Sequence, residues 1–250
     1  MNSLIVIPAR FKSSRLPGKP LKKINGKELI LRVLDACKPL YKKDTKIIVA
    51  TDEKKIFNLI SQSNFRAIMT SKKCLTGTDR VAEVAKKINA KIYINVQGDE
   101  PLINHKDIKK IINAKKKFPD HIICGYSYLK NDESEKNKNI PKVVLNNKGE
   151  LLYISRSPLP GSKKRLSKKK KYLKQVCIYG FSKRDLVLFN SFKKKTYLEN
   201  SEDIEILRFL EFDKKILMYE CKNNSHAVDI PEDLIKVENL LKKRNENNKL

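Results

Sequence analysis

The residues Leu4–Ile7 and the segment after them constrain the fold of this chain more than any other stretch. The run Leu4–Ile7 is short, apolar and rich in β-branched residues, and Pro8 follows it. Such runs are typical of strands buried in a parallel sheet. The segment after the run contains Pro17, Gly18 and Pro20, which do not fit a regular helix. The sequence therefore predicts a buried first strand that ends in a loop.

Strand-like and helix-like segments alternate over the next hundred or so residues. Short apolar runs predict strands at Lys46–Ala50, Ala67–Met69, Lys91–Val96 and His121–Tyr128. Helical spacing of apolar residues predicts helices at Glu28–Lys38, Lys54–Ser63, Asp79–Asn89 and His105–Lys117. This alternation is typical of βαβ units, and so we expect an α/β fold with a mostly parallel, Rossmann-like sheet flanked by helices.

The pattern changes after residue 141, and so we expect two parts in the chain. Three strands without a long intervening helix are predicted at Lys142–Leu145, Leu151–Ser155 and Lys174–Phe181, with a basic loop at Ser162–Lys171. The remaining segments are predicted as helices at Lys183–Ser191, Glu202–Phe212 and Pro231–Lys243, and a strand at Ile216–Glu220. We interpret residues 1–140 and 200–250 as one α/β domain and residues 141–199 as a small antiparallel insertion. The polar segment Asn131–Asn139 is predicted to be a mobile connection.

The loop after the first strand carries four cationic residues, Arg10, Lys12, Arg15 and Lys19. In an open α/β sheet, ligands bind at the carboxyl ends of the strands, so this loop is a candidate site for a polyphosphate. Arginine forks suit bidentate contacts with phosphate, and lysine acts as a point charge. The loop matches neither the G-x-x-x-x-G-K-[ST] nor the G-x-G-x-x-G motif. A solvated surface loop is the alternative, and it fits Lys12 best.

Two acidic residues are candidates for a metal site. Asp99 lies in a turn directly after the predicted strand Lys91–Val96, and Asp229 precedes the last predicted helix. Magnesium takes one or two carboxylates together with phosphate oxygens, so the pair could share one metal with a bound triphosphate. Glu100 could be a ligand instead of Asp99 or support it. The alternative for both aspartates is a role in a turn or helix cap.

The composition raises a second class of function. The formal net charge is +27 at pH 7, which could indicate a nucleic-acid-binding protein. However, the lysines are spread over many predicted elements and no aromatic residues interleave with them. We therefore interpret the charge mainly as lysine-rich composition. The five cysteines show no C-x-x-C spacing, and the three histidines share no metal-ligand spacing. With no secretory or membrane-spanning run, the sequence predicts a soluble cytoplasmic protein.

Several blocks of sequence, taken in order, resemble a known enzyme family. They are Ile7–Arg10, Ser14–Leu21, Ala50–Asp52, Gly77–Arg80, Asn95–Pro101 and Val228–Leu234. Together they resemble the 3-deoxy-manno-octulosonate cytidylyltransferases, also called CMP-Kdo synthetases. The resemblance implies a nucleotidyltransferase fold, with the insertion serving dimerisation. It also implies Mg²⁺-dependent transfer of CMP from CTP to the acidic sugar Kdo for lipopolysaccharide synthesis, in a homodimer.

The resemblance assigns roles to individual residues. Arg15, Lys19 and Asp99 would be catalytic, and Asp99 and Asp229 would bind Mg²⁺. The nucleotide would be bound by Pro8, Ala9, Arg10, Arg15, Lys19, Thr76 and Gly77. The acceptor sugar would be bound by Gln97, Arg156 and Glu205. The region near Arg156 and Arg208 is expected to decide between Kdo and related acids such as 8-amino-Kdo or acylneuraminates.

Overall fold

The computed structural model describes residues 1–13, 15–161, 171–222 and 225–247, with side chains up to residue 243. The described strands are β1 (Ser3–Ala9), β2 (Lys23–Ile24), β3 (Lys27–Glu28), β4 (Thr45–Thr51), β5 (Arg66–Met69), β6 (Ile92–Val96), β7 (Ile122–Tyr128), β8 (Lys142–Leu145), β9 (Leu151–Ser155), β10 (Leu173–Phe181) and β11 (Ile216–Glu220). The described helices are α1 (Leu29–Cys37), α2 (Lys54–Ser61), α3 (Gly77–Lys87), α4 (His105–Lys117), α5 (Lys183–Ser191), α6 (Tyr197–Glu202), α7 (Leu207–Glu211) and α8 (Pro231–Asn247).

The central sheet is mostly parallel. Its order is β11-β7-β10-β6-β1-β4-β5, and β1 pairs in parallel with both β4 and β6. β10 runs antiparallel between β6 and β7. Strands β8 and β9 form an antiparallel hairpin attached to β10, and β2 with β3 forms a small separate sheet. The predicted α/β fold with a mostly parallel sheet is therefore confirmed.

Apolar side chains cover both faces of the sheet. On one face α3, α5 and α7 contribute side chains such as Val81, Phe189 and Phe209. On the other face α1, α2 and α4 contribute side chains such as Val33 and Ile60. The near-continuous apolar sequences of β1 and β6 follow from this arrangement, because strands covered on both faces bury every side chain.

A third apolar cluster lies under the basic loop. Leu16 of that loop packs there with Val228 and Val237, the latter from α8, and all three are buried. Leu16 directly follows Arg15 in the chain, and Val228 directly precedes Asp229. Burial of these two apolar neighbours thus brings two distant charged residues to the same place.

Some elements of the predicted insertion, residues 141–199, belong to the central sheet and its core. β10 lies inside the central sheet, and α5 packs its Leu186 and Phe189 against the same core as α3. The β8–β9 hairpin pairs with β10 off the main strand order, and the division of the chain into two parts stays a prediction. Most of the predicted basic loop Ser162–Lys171 lies outside the described residues.

One local prediction is corrected. In place of one helix at Glu202–Phe212, α6 ends at Glu202 and α7 spans Leu207–Glu211, because Asp203 has a left-handed backbone with φ of 51° and ends α6. The connection at Asn131–Asn139 contacts the sheet at two points, since Lys174 pairs with Glu133 and Lys142 donates to the carbonyl of Asn137 at 2.9 Å. Its mobility stays a prediction.

The helices of the described part of the chain are each too short or too polar to cross a lipid bilayer.

Candidate functional site

The carboxyl ends of β1 and β6 form the base of the candidate site. Because these strands pair in parallel, the loop that follows β1 and the turn that follows β6 meet at the same edge of the sheet. The two segments approach closely at Gly98, where an added Cβ atom would lie 2.5 Å from the carbonyl oxygen of Pro8. Only glycine allows this approach without a backbone shift. The turn thus brings Asp99 beside the basic loop.

The basic loop is folded back by local backbone geometry. Gly18 has φ of 67°, a left-handed conformation that glycine adopts without strain, and a short 3₁₀ turn at Lys19–Leu21 follows it. The backbone N–H of Phe11 donates to Asp52, which also pairs with Arg80 of α3 at 2.7 Å. The loop is therefore held at its start by a buried ion pair.

The two predicted metal ligands meet at one cation. The ammonium nitrogen of Lys19 lies 2.6 Å from Oδ2 of Asp99 and 3.3 Å from Oδ1 of Asp229. The guanidinium of Arg15 contacts the same Oδ1 of Asp229 at 3.0 Å. A backbone hydrogen bond of 2.9 Å from Val228 to the carbonyl of Asp99 joins the two segments. Residues that are far apart in sequence thus form a compact charged cluster.

The carboxylates of Asp99 and Asp229 do not act as helix caps, which was the alternative role for both residues. Asn104 caps α4, because its side chain accepts the N–H of Lys106. Asp233 accepts the backbone N–H groups of Asp229 and Ile230. The carboxylates of Asp99 and Asp229 point instead to Lys19.

The chemistry of this cluster fits a magnesium ion. Two carboxylates that already converge on one cation can converge on Mg²⁺, which takes one or two carboxylates and completes its shell with water and phosphate oxygens. Within the described residues, the structure contains no cluster of three or more His, Cys, Asp or Glu side chains that could hold a metal ion. Asp99 and Asp229 could therefore supply part of a coordination shell that a bound phosphate completes.

Two titratable groups of the cluster have shifted pKa values. Burial by itself would lower the pKa of Lys19, but the carboxylates of Asp99 and Asp229 outweigh it and raise that pKa above its usual 10.5. Burial and the neighbouring Asp99 charge raise the pKa of Glu100 to about 7, although the hydroxyl of Ser225 donates to its carboxylate. Lys19 is thus charged at neutral pH, whereas the pKa of Glu100 lies close to neutral pH.

An open cleft of about 500 Å³ lies beside the cluster and is lined by Arg10, Phe11, Lys12, Ser13, Pro17 and Gly18. Arg10 and Lys12 are both exposed. The cleft therefore has a cationic wall that could receive an anionic ligand of nucleotide size. Lys12 was interpreted as a surface residue, and its exposure agrees with that interpretation.

The start of α3 forms the other side of the site. Thr76 caps this helix in a capping box with Asp79, and the N–H of Asp79 donates to Thr76 Oγ1 at 3.2 Å. At Gly77 an added Cβ would lie 3.1 Å from Pro8 and 3.2 Å from Gln97 Oε1. The structure thus brings Pro8, Thr76, Gly77 and Gln97 together, next to the buried Ala9 at the end of β1.

Comparison with known proteins places the chain in a family. The sequence model of the family described as Cytidylyltransferase matches residues 4–216. A 3-deoxy-manno-octulosonate cytidylyltransferase of Fusobacterium nucleatum is 39% identical, covering 98% of this chain and 99% of its own length. Enzymes of the same name from Chlamydia pneumoniae and Escherichia coli are 38% and 35% identical, over 93% and 96% of this chain and 91% and 96% of their own lengths. The chain belongs to the 3-deoxy-manno-octulosonate cytidylyltransferase family.

Solved structures agree with this placement. A CMP:2-keto-3-deoxy-manno-octonic acid synthetase complexed with CTP superposes with a TM-score of 0.88 at 34% identity, covering 98% of this chain and 100% of the other. An inositol-1-phosphate CTP transferase from T. maritima has a TM-score of 0.67 at 16% identity, covering 97% of this chain and 96% of the other, which shows a shared fold. The predicted family and fold are therefore both confirmed.

Glu205, a predicted sugar ligand of this cytidylyltransferase, makes two contacts within the protein. One carboxylate oxygen accepts the N–H of Thr78 at 2.9 Å, and the other accepts from Gln97 Nε2 at 2.9 Å. Glu205 thus joins the segment before α7 to the start of α3 and orients Gln97. Its role toward a sugar stays a prediction.

Arg156, the predicted ligand of the sugar carboxylate, lies at a junction of three segments. Its guanidinium donates to the carbonyl oxygens of Lys138, Glu202 and Asp203 at 2.8, 2.5 and 3.0 Å. Asp203 also pairs with Lys195 at 2.5 Å. About a third of the Arg156 side chain is exposed, so it could still meet a ligand from that side.

Arg208 lies in the region expected to decide the acceptor, and that expectation stays a prediction. Its own side chain is completely buried and is held by Glu199, with its guanidinium carbon 3.7 Å from the ring centre of Phe189. It therefore acts in the core of this cytidylyltransferase rather than at its open site.

Sequence reasoning missed the supports behind the site. The pair Asp52–Arg80 holds the basic loop, and Asp79 holds Thr76 while lying 3.4 Å from Arg208. The blocks Ala50–Asp52 and Gly77–Arg80, which carry part of the family resemblance, contain three of these residues. The resemblance gave these three residues no role, and only the folded arrangement shows which side chains contact each other.

Proposed function

We propose that this chain transfers CMP from CTP to the anomeric hydroxyl of 3-deoxy-D-manno-octulosonate (Kdo) and releases pyrophosphate. The observation that carries the proposal is the convergence of Lys19, Arg15, Asp99 and Asp229 beside a cationic cleft. The related synthetase named above is complexed with CTP and has almost the same fold. Relatives that are named for this activity match the chain over nearly their whole length.

The cationic residues would bind the triphosphate of CTP. Arg10 faces the open cleft, and Arg15 and Lys19 lie at the two-carboxylate cluster. Each charge-assisted hydrogen bond contributes about 1.5–3 kcal/mol, so three such residues could hold a triphosphate firmly. The start of α3 at Thr76 and Gly77, packed against Pro8, would receive the cytosine end of the nucleotide.

Asp99 and Asp229 are the residues that would hold Mg²⁺. A bound Mg²⁺ would offset negative charge on the phosphate oxygens as the bond to pyrophosphate breaks. The acceptor hydroxyl would attack the α-phosphorus and form a new P–O bond while pyrophosphate leaves. Fixed charges and orientation, rather than covalent catalysis, would supply most of the acceleration.

The acceptor would enter on the side of Gln97, Glu205 and Arg156. Gln97 is fixed by Glu205 at 2.9 Å, and Arg156 is a partly exposed cation that could meet the carboxylate of a 2-keto-3-deoxy acid. Since these contacts recognise features common to several such acids, 8-amino-Kdo and acylneuraminates are competing acceptors.

The decisive experiment is a pyrophosphate-release panel with Mg²⁺. CTP, UTP, ATP and GTP would each be combined with Kdo, 8-amino-Kdo and N-acetylneuraminate. We expect release only with CTP, and fastest with Kdo. Faster release with another acid would change the acceptor, while no release with any combination would overturn the enzyme assignment. In that case, tight and steeply salt-dependent binding to nucleic acid would support the alternative drawn from the net charge.

The assembly and location of the enzyme are part of the same proposal. We expect a cytoplasmic homodimer that supplies CMP-Kdo for lipopolysaccharide synthesis. We assign the contact with the second copy to the side of the sheet where the β8–β9 hairpin pairs with β10. Light scattering coupled to size exclusion would measure the mass, and a single mass near 28.9 kDa would contradict the dimer.

A further inference from the structure

The position of Lys19 between two carboxylates has a consequence for metal binding. Its ammonium nitrogen contacts Asp99 Oδ2 at 2.6 Å and Asp229 Oδ1 at 3.3 Å, and only 14% of the side chain is exposed. The same carboxylates are the candidates for a metal. The lysine therefore already occupies the meeting point of both.

An ammonium ion and a divalent cation compete for these oxygens. Two carboxylates close together repel each other, and a cation between them removes that repulsion. Lys19 supplies this compensation from within the chain, without a bound ion. A metal that took both carboxylates would have to displace the ammonium, and the displaced charge would need a new anionic partner.

The triphosphate of the nucleotide is the natural new partner. Lysine binds phosphate as a point charge on a flexible stem, and the open cleft begins at Gly18, the residue before Lys19. Within the described residues, no group of three or more His, Cys, Asp or Glu side chains is arranged to hold a metal ion. A metal shell would thus need phosphate oxygens in any case, and the same phosphate would receive Lys19.

We propose that Lys19 is the resident cation of the Asp99–Asp229 pair and that the nucleotide, by drawing the ammonium away, opens the pair to a divalent cation. This inference rests on the proposed function, because it assigns the phosphate to CTP and the metal to the two carboxylates. Nucleotide and metal then bind with positive coupling, and each raises the affinity for the other. Arg15 does not replace Lys19, because it contacts Asp229 and leaves Asp99 to the lysine.

The test measures metal binding without any turnover. Mn²⁺ would be titrated into nucleotide-free protein and the free ion followed by electron paramagnetic resonance, for wild type and Lys19→Met. We expect Lys19→Met to bind one Mn²⁺ about tenfold more tightly or better, within the roughly 5–150-fold range typical of coupled sites. Lys22→Met is the matched control, since it removes the same charge from an exposed position three residues after Lys19 that does not line the cleft. It should leave Mn²⁺ binding at the wild-type level.

Two further measurements locate the effect and guard against loss of folding. Adding Asp99→Asn to Lys19→Met should abolish the gain, because one of the two carboxylates is lost. Mn²⁺ should raise the melting temperature of Lys19→Met more than that of wild type, since a ligand of the folded state stabilises it. Lys19→Gln would replace Lys19→Met if the latter did not fold.

The outcomes separate this inference from the proposed function. Equal Mn²⁺ affinity in wild type and both Lys19 variants would overturn the resident-cation role, even if wild type releases pyrophosphate from CTP. A tighter Mn²⁺ site in Lys19→Met and in Lys22→Met alike would also overturn it, because a general charge effect would explain the gain. If Lys19→Met alone binds Mn²⁺ more tightly and wild type shows no transferase activity, the competition between lysine and metal is upheld and the proposed function is rejected.

Discussion

Replacing Arg208 with methionine tests whether this residue serves the core or the acceptor. Both ends of its ion pair with Glu199 are fully buried, and two hydrogen bonds of 2.6 and 2.8 Å join them. Arg208 also donates to the carbonyl of Phe189 at 3.0 Å. Arg208→Met keeps much of the side-chain volume but leaves the Glu199 carboxylate buried without its main partner.

The expected loss of stability is large. Removing one partner of a buried ion pair costs about 3–5 kcal/mol, because the other charge stays buried without compensation. Since folded proteins are stable by only about 5–15 kcal/mol, this loss would be a substantial part of the total. Adding Glu199→Gln should recover part of it, because the uncompensated charge is then gone.

Urea unfolding followed by circular dichroism would measure the free energy of unfolding of the single and double variants. Arg66→Met is the control, because Arg66 is exposed on β5 and should change stability by no more than about 0.5 kcal/mol. The KM for the acceptor should stay at the wild-type value in folded Arg208→Met. A stability loss below about 1 kcal/mol together with a raised acceptor KM would refute the core role.

Three further perturbations probe the site itself. Asp99→Asn should keep the fold but lower the rate of pyrophosphate release by about a hundredfold or more, because one preorganised electrostatic group is removed. Near-normal rates at saturating Mg²⁺ would exclude Asp99 as a metal ligand. Gly98→Ala should lower stability by about 1–3 kcal/mol and reduce turnover, because its Cβ would lie 2.5 Å from the Pro8 carbonyl oxygen. Gly161→Ala, whose Cβ would meet no atom of the described residues within 4 Å, is its control, and equal effects of the two would contradict the steric argument. The pKa of Glu100 is about 7 in the folded protein and near 4.5 in the unfolded chain, so the folded protein binds the proton more tightly. The free energy of unfolding in EDTA should therefore fall as pH rises from 4.5 to 7, by at most about 3 kcal/mol. In Glu100→Gln that fall should be absent, and an unchanged pH profile of unfolding would show that Glu100 is not its source.

The helices and strands were largely predictable because their signals are local. The bounds of β8, β9, β11, α4 and α5 agree with the sequence prediction. In these segments apolar residues recur with the period of one element, so a short window contains the information. The helix predicted across Asp203 failed because its apolar spacing continued while one left-handed residue broke the helix.

The partners of the charged residues were much less predictable. Spacing made Arg10, Arg15, Lys19, Asp99 and Asp229 candidates, since each lies in a loop next to an apolar segment. It could not tell that Lys19 would contact both aspartates, which are 80 and 210 residues away from it. For Arg208 the sequence offered a polar residue near the acceptor region, and only the packing around it shows a core ion pair.

The sequence by itself determined the alternation of strands and helices, the family and the basic loop that begins after Pro8. The alternation and the loop follow from apolar periodicity, from proline and glycine positions and from residue type, all of which act over a few neighbours. The family followed from the resemblance of six sequence blocks to known enzymes. The tertiary structure alone decided that β10 enters the central sheet, that Arg208 is buried and that Lys19 lies between two carboxylates. Such contacts depend on which surfaces the core brings together. The basic loop lies beside Asp229 only because Leu16 and Val228 are buried in one cluster.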